Sequence, residues 1–360
     1  MDLEQAIRLP KILLHDHLDG GLRPATIIEL AELIGHQLPS TDEAELVAYF
    51  RRGADAKDIL QYLETFSHTV PLLQTADSLH RVAQEAAQDL AADGVIHAEV
   101  RFAPELHPGT GSLDAAIEAV TSGFASGNAD ITVKTIVCAM RTEDRSAEVA
   151  EATVRWFERT STQRGGVVAF DLAGAETGFP PSDHAEALEI ARGINITIHA
   201  SEPPGLELIA GALDFGAQRI GHGVRLIEDC RRNDDGSLEL GSLATRVRDQ
   251  RIPLELCPSC NVQIGAVPTL ADHPIGPFLR TGIQATVNTD NRLMSGVSLA
   301  SEVAATADAF DFTLDEVEQL QHNAVDALFI SPAEKLDLHE TIRAGFSGQN
   351  PHVRQEDPRD

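Results

Sequence analysis

The chain has 360 residues, 42 % of them hydrophobic but only 4 % aromatic, and a formal net charge of −28. Such an excess of carboxylates argues against nucleic-acid or anionic-membrane partners, both of which select basic surfaces. No apolar run approaches the roughly 18–20 residues needed to span a bilayer, and the opening MDLEQAIRLPK lacks the apolar core of a signal peptide; a cytoplasmic protein with four reduced cysteines (Cys138, Cys230, Cys257 and Cys260) is expected.

The first element is a short apolar strand, Lys11–Leu14, that runs into His15-Asp16-His17-Leu18-Asp19-Gly20. Side chains two apart leave a strand on the same face, so His15, His17 and Asp19 project together from its end. Two imidazoles and a carboxylate so placed suit a divalent metal, zinc among them. An isolated H-x-H is a weak motif, and its weight depends on whether other strand ends supply partners. Residues 24–92 then carry several helical patterns before the next strand and read as an insertion after strand one. Its apolar residues Ile59, Leu60, Tyr62, Leu63 and Phe66 form either a pocket wall or simply the core face of an amphipathic helix.

Further strands are predicted at His97–Phe102, Ile131–Met140, Val167–Leu172, Ile194–His199, Arg219–Gly221, Ile252–Cys257 and Gln284–Asn288. Helical patterns alternate with them at Ala76–Ala92, Leu113–Ala125, Ser146–Glu158, His184–Arg192, Leu206–Leu213, Leu243–Gln250 and Val297–Ala307. Alternation of this kind means parallel strands joined by crossover helices. Eight strand–helix units specify an α/β fold of the (β/α)8 TIM-barrel type, with a doubly wound open sheet as the alternative. One domain is expected over residues 1–345, followed by a polar, Pro- and Asp-containing tail, 346–360, without fixed structure.

In a barrel the C-terminal strand ends share one rim. Strand five ends in His199-Ala200-Ser201-Glu202, strand six in Gly221-His222-Gly223 and strand eight in Asn288-Thr289-Asp290-Asn291. His15, His17, His199 and Asp290 together make three imidazoles and a carboxylate, a zinc-type set that leaves room for a water whose pKa the metal would lower. Glu202, three residues beyond His199, reaches the site without being a ligand and as a carboxylic acid can protonate a ring nitrogen. His222, between two glycines, would orient or deprotonate the water. Asp171-Leu172-Ala173-Gly174 ends strand four on the same rim, where Gly174 would let a ligand approach the backbone. A rival zinc pattern, H-x-E with P-C-x-x-C, is only partly met by His97-Ala98-Glu99 and Cys257-Pro258-Ser259-Cys260, because Leu256 stands where the motif needs proline. His97 is therefore read as a strand residue and the two cysteines as thiols in a rim loop. No Walker, dinucleotide or nucleophile-elbow motif is present.

The segments HDHLDGGLRP (15–24), AEVRFAPE (98–105), FDLAGAE (170–176), TIHASE (197–202), RIGHGV (219–224), LCPSCNVQIG (256–265) and TVNTDNRLMSG (286–296) resemble, in order, the adenosine deaminases of the metal-dependent amidohydrolase superfamily, especially their actinobacterial branch. The resemblance spans residues 11 to about 330. It implies one zinc ion per chain held by His15, His17, His199 and Asp290, with Glu202 protonating purine N1, His222 handling the water and Asp290 relaying its protons. It further implies that His17 and Asp19 lie near the ribose 5′-hydroxyl, that Gly174 contacts N3, that Asn291 faces N7, and that Tyr62, Leu63 and Phe66 form a lid over the sugar. The implied partner is a small purine nucleoside, and the implied reaction is hydrolytic deamination of adenosine and 2′-deoxyadenosine. The alternatives are another 6-aminopurine (adenine, 6-aminodeoxyfutalosine, an N6-substituted adenine or a nucleoside-antibiotic intermediate) or an inactive nucleoside-binding protein on the same fold. Three departures from the family pattern bear on substrate preference: Ser201 for glycine, Asn291 for aspartate and Cys260 for serine.

Overall fold

Runs of Val, Ile, Leu and Ala flanked by glycine and helix-capping residues become eight parallel strands. In the computed structural model, which describes residues 1–234 and 236–348, they are β1 (Lys11–Leu13), β2 (Val95–Phe102), β3 (Thr132–Met140), β4 (Val167–Ala173), β5 (Asn195–Ala200), β6 (Arg219–His222), β9 (Leu254–Leu256) and β10 (Ala285–Val287). A short hairpin, β7 (Cys230–Arg232) with β8 (Leu238–Leu240), stands apart from the sheet. The barrel strands neighbour one another in the order β1-β2-β3-β4-β5-β6-β9-β10, and all seven ladders between them are parallel. The eight predicted strands are all present, and the fold is the expected TIM-type barrel. The β7–β8 hairpin was not predicted. Its strands are only three residues long, too short for the alternation of Leu238-Glu239-Leu240 to announce a strand, and Cys230-Arg231-Arg232 is largely polar. From residue 349 on, the expected tail lies outside the described residues.

Crossover helices bury one stripe each. Ala76–Ala92 is entered through a capping box in which Thr75 and Ser78 satisfy each other's backbone, and it buries Leu79, Val82, Ala83, Ala86, Ala87 and Leu90 at helical spacing. Alanine on this stripe lets it lie close against the helix Leu113–Gly127, where a Cβ on Gly123 would meet Ala83. Between β1 and Ala76–Ala92 the chain forms three helices, Pro24–Ile34, Glu43–Ala54 and Ile59–Glu64, and three single 3-10 turns, Leu18–Gly20, Thr65–His68 and Val70–Leu72. This is the predicted insertion, and it lies over the C-terminal rim.

The barrel closes between β10 and β1 through an isolated bridge at Asp16 and Asp290. His17 N donates to Asp290 O (2.7 Å), Asp290 N to His15 O (3.0 Å), and Leu14 N to the side chain of Asn288 (3.0 Å). The closing seam therefore fixes the backbone of the very residues whose side chains enter the rim. The helix Leu314–Ala327 backs this seam, with Gln321 accepting from Ile12 N (3.0 Å) and Asn323 donating to Ala285 O (3.0 Å).

Candidate metal and active site

Three strand ends bring imidazoles, and a fourth the carboxylate of Asp290, to one point. His15 Nδ1 lies 2.8 Å from Glu255 Oε2, and His199 Nδ1 lies 3.2 Å from Asp171 Oδ1. Both carboxylates are fully buried. They are bridged by Arg101, whose guanidinium donates to Asp171 (2.8 Å) and to Glu255 (2.7 Å). Arg219 pairs with Glu255 (2.6 Å) from the other side. A carboxylate behind Nδ1 takes that nitrogen's hydrogen and turns a neutral ring's Nε2 into a bare lone pair. Burial above all, with repulsion from Arg101 and the neighbouring rings, holds His15 and His17 well below the ordinary histidine pKa, so these rings are neutral.

The Nε2 lone pairs of His15 and His199 point inward, with His17 Nε2 and Asp290 between them. His15 Nε2 is 3.3 Å from Asp290 Oδ1, and His17 Nε2 is 3.2 Å from His199 Nε2 and 3.4 Å from Asp290 Oδ1. His15 Nε2 is buried with no hydrogen-bond partner among the described residues. A cluster of acceptors this poor in donors fits a cation of the borderline-soft, nitrogen-seeking kind. His222 belongs to the same crowd: one ligand atom each from His15, His199, His222 and Asp290 lie within 4.8 Å of one another.

Hydrogen-bond direction separates His222 from the other rings. Ile275 N donates to His273 Nδ1 (3.2 Å), so the proton of neutral His273 is on Nε2, which faces Asn261 Oδ1 at 3.1 Å. His273 is fully buried and burial pushes its pKa down to about 3. With its oxygen so occupied, Asn261 turns its amide nitrogen to His222 Nδ1 (3.2 Å). His222, held neutral by burial and by repulsion from His199 and His17, must then carry its hydrogen on Nε2, the nitrogen 3.4 Å from Glu202 Oε1. A backbone amide thus sets a tautomer three residues away.

Glu202 is pushed well above the ordinary carboxyl pKa by burial first, then by the charges of Glu176 and Asp290, with Arg141 opposing. Glu176 also fixes its backbone, accepting from Ser201 N (2.7 Å) and Glu202 N (3.1 Å). Three rim residues, Ser201 (φ 66°), His222 (φ 58°) and Asp290 (φ 58°), hold the left-handed conformation. Non-glycine residues seldom adopt it, and strain of this kind gathers at functional sites. Ser201 Oγ is also buried without a partner among the described residues.

A cavity of about 210 Å³ opens beside these groups. His17, Asp19, Gly174, His199, Glu202, His222, Asp290 and Asn291 line its polar part, and Ile59, Tyr62, Leu63 and Phe66 cover it from the insertion. Leu60, grouped with them in the sequence, is 62 % exposed and faces away. Tyr62 is buried with its hydroxyl 3.2 Å from Ser295 Oγ. Burial, with the backbone of Asp19 itself opposing and Asp16 adding, pushes the Asp19 carboxyl up to about 6. Asn291 Oδ1 is a buried acceptor with no partner among the described residues, and a Cβ on Gly20 would overlap it. Gly174, at φ 92°, turns its backbone into the cavity where a side chain would meet Met140 Cε at 2.9 Å. Asp16 lies beneath the rim, paired with Arg292 (3.0 Å) and Thr289 (2.8 Å). Cys257 and Cys260 are free and buried, Cys260 on the short helix Pro258–Gln263 rather than in an open loop. His97 is a buried residue of β2, far along the strand from the rim end.

The supporting residues Glu255, Arg101, Glu176, Asn261 and His273 were not singled out from the sequence. For Glu255 and Arg101 a signal existed: each is a charged residue inside a strand predicted to be buried, where only a paired charge is tolerated. Asn261 and His273 carried no such mark, because their value lies in which atoms they face.

The adenosine deaminase family model matches residues 10–345. An adenosine deaminase of Mycobacteroides abscessus is 47 % identical over 96 % of this chain and 98 % of its own length. Adenosine deaminase 1 of Streptomyces coelicolor is 49 % identical over 94 % of this chain and 88 % of its own. Among solved structures, an adenine deaminase from Arthrobacter aurescens superposes with a TM-score of 0.79 at 28 % identity, covering 93 % of this chain and 98 % of that one.

Proposed function

The chain belongs to the adenosine deaminase family, and from that premise we propose that it hydrolyses the 6-amino group of adenosine and 2′-deoxyadenosine, releasing ammonia and leaving the 6-oxo nucleoside, inosine in the case of adenosine. One observation carries the reading: a donor-poor cluster of imidazoles and a carboxylate faces, across one cavity, a carboxyl group that its surroundings keep protonated. We assign one zinc ion per chain to His15, His17, His199 and Asp290. His222 stands outside that set, because an Nε2 that carries hydrogen has no lone pair to give. When bound, the ion supplies Lewis acidity, lowering the pKa of a coordinated water towards neutral.

The residues of the chain do the rest. Addition of water at C6 pushes electrons onto N1, and the Glu202 carboxyl gives N1 its proton, so that no ring anion forms. His222 Nε2–H donates to the incoming oxygen and fixes its line of approach. Asp290 accepts a proton from that oxygen and passes it to the amine, which leaves as ammonia. The water's remaining proton restores Glu202. Asp19 and His17 face the sugar end, Gly174 and Asn291 the purine edge, and Tyr62, Leu63 and Phe66 exclude solvent. Three acidic side chains and no lysine or arginine line the cavity among the described residues, which disfavours phosphorylated nucleosides. Adenine is the second substrate reading, supported by the Arthrobacter aurescens structure at lower identity.

The test is the ultraviolet change and ammonia release on mixing adenosine with zinc-loaded protein. Turnover is expected, with Glu202→Gln lowering kcat by about 10²–10⁴-fold. No turnover, or full activity in Glu202→Gln, defeats the proposal.

A further inference from the structure

The turn that carries Glu202 is held differently from the other rim turns. Ser201, His222 and Asp290 all stand in the left-handed conformation. Asp290 is fixed by backbone, through its hydrogen bonds with His15 and His17, and His222 by the ladder that pairs it with Ala200. That ladder ends there, so Ser201 N and Glu202 N have no strand to bond to. Around a left-handed residue successive N–H groups turn to one side and form a concave site for an anion. Glu176 fills it: Oε2 accepts from Ser201 N (2.7 Å) and Oε1 from Glu202 N (3.1 Å).

A second side chain stitches the same two segments together. Arg141 donates from Nη2 to His199 O (2.5 Å) and from Nη1 to Phe179 O (2.6 Å), while Phe179 N donates to Glu176 O (3.1 Å). The loop that follows β4 is thereby bound to the end of β5 through one carboxylate and one guanidinium. Both side chains are buried, and neither lines the cavity, whereas Gly174, Ala175 and Glu202 do. The Glu202 carboxyl takes no hydrogen bond of its own among the described residues, His222 Nε2 standing off at 3.4 Å. Its place is set by the backbone beneath it, and that backbone by Glu176.

Resting on the reading of Glu202 as the acid that protonates N1, we propose that Glu176 is a positioning residue for that acid. Its carboxylate holds the backbone of residues 201 and 202 so that the Glu202 carboxyl meets N1 of a ring whose N3 side rests on Gly174. The turn requires two acceptors side by side, and a carboxylate offers both. Glutamine offers one, and its amide nitrogen would be set against an N–H that also donates. A buried donor left without a partner is costly, and the turn is released from its place. Arg141 still holds the loop, so Gly174 stays where it is. Glu176 thus acts on the N1 end of the purine alone, without touching it.

The experiment compares zinc-loaded wild type, Glu176→Gln, Glu202→Gln and the double variant. Adenosine reports turnover. The second ligand is 1-deazaadenosine, which has C–H where adenosine has N1 and so gives Glu202 nothing to protonate. Misplacing a catalytic group by about an ångström costs about 10²-fold. Glu176→Gln is expected to lose about that factor in kcat/KM on adenosine, while its inhibition constant for 1-deazaadenosine stays within about twofold of wild type. Because Glu176 acts through Glu202, adding Glu176→Gln to Glu202→Gln should change the remaining turnover by less than about threefold. Three results overturn the proposal: wild-type turnover of adenosine in Glu176→Gln, an equal loss of 1-deazaadenosine binding (which a misfolded variant would also show), or losses that multiply in the double variant. Full activity in Glu202→Gln would instead defeat the reading of Glu202 as the acid, so the two failures are told apart.

Discussion

Replacing Asn261 by aspartate changes the hydrogen-bonding sense of one atom at the middle of the relay that ends on His222. In the native chain Ile275 N, His273 Nε2 and Asn261 Nδ2 donate in turn over 3.2, 3.1 and 3.2 Å. A carboxylate at 261 still accepts from His273 but has nothing to donate to His222 Nδ1. His222 then either moves its hydrogen to Nδ1 or takes a second one and becomes cationic beside the metal ligands. In both cases it ceases to be a neutral Nε2–H donor. The loss of one preorganised donor to a developing oxyanion costs about 2.7–4 kcal/mol, or 10²–10³ in kcat. The zinc ligands are untouched, so metal content stays at the wild-type level. Nitrogen-15 spectra of histidine-labelled, metal-loaded protein, with the His222 resonance assigned through His222→Gln, are expected to show a neutral Nε2–H tautomer in the wild type and its disappearance in Asn261→Asp. Either a wild-type Nδ1–H tautomer or an Asn261→Asp enzyme with kcat within about twofold of wild type refutes the relay.

Ser201→Gly removes a side chain from a left-handed residue, a conformation that costs an L-residue about 1–2 kcal/mol, and also removes a buried hydroxyl without a partner; calorimetry should show an unchanged or higher Tm, and a fall of several degrees would contradict the strain argument. Glu302 is buried with its Ser259 contact too weak to offset burial, and its pKa is raised to about 7. The folded state thus keeps a proton that the unfolded chain releases near pH 4.5, so its contribution to stability falls as pH rises from about 4.5 to 7 and is flat above. Glu302→Gln should therefore gain up to about 3 kcal/mol over wild type at pH 8 and nothing at pH 4, measured by denaturant unfolding at both pH values; equal effects at the two values would show that the shift is absent. Asp171→Asn weakens the carboxylate behind His199, and catalytic-metal affinity measured against a chelator should fall about 10–100-fold; an unchanged affinity would separate Asp171 from the metal.

The barrel was legible because its signal is repetitive. Eight β-branched runs alternate with amphipathic helices such as Ala76–Ala92, and every predicted strand is present within two residues at either end. The rim residues were legible for a related reason: His15, His199, His222 and Asp290 each stand at or just beyond the C-terminal end of a strand, and strand order places them together. What the sequence did not disclose depends on atoms rather than positions. Nothing in the spacing of Asn261 and His273 tells which nitrogen of His222 keeps its hydrogen. Nothing in H-x-H says that the closing seam of the barrel would hold His17 through Asp290 O, or that Glu255 and Asp171 would share Arg101. Leu60 illustrates the opposite limit. It sits in the same helical run as Tyr62 and Leu63, yet one turn of a helix has an outside, and Leu60 occupies it.

The most direct test of the account is a steady-state comparison of adenosine, 2′-deoxyadenosine, adenine and 6-aminodeoxyfutalosine on one zinc-loaded preparation, read by ammonia release. The account predicts the highest kcat/KM on adenosine and 2′-deoxyadenosine, abolished by chelation and restored by zinc. A higher kcat/KM on adenine or 6-aminodeoxyfutalosine, or turnover of adenosine that survives complete removal of the metal, would contradict it.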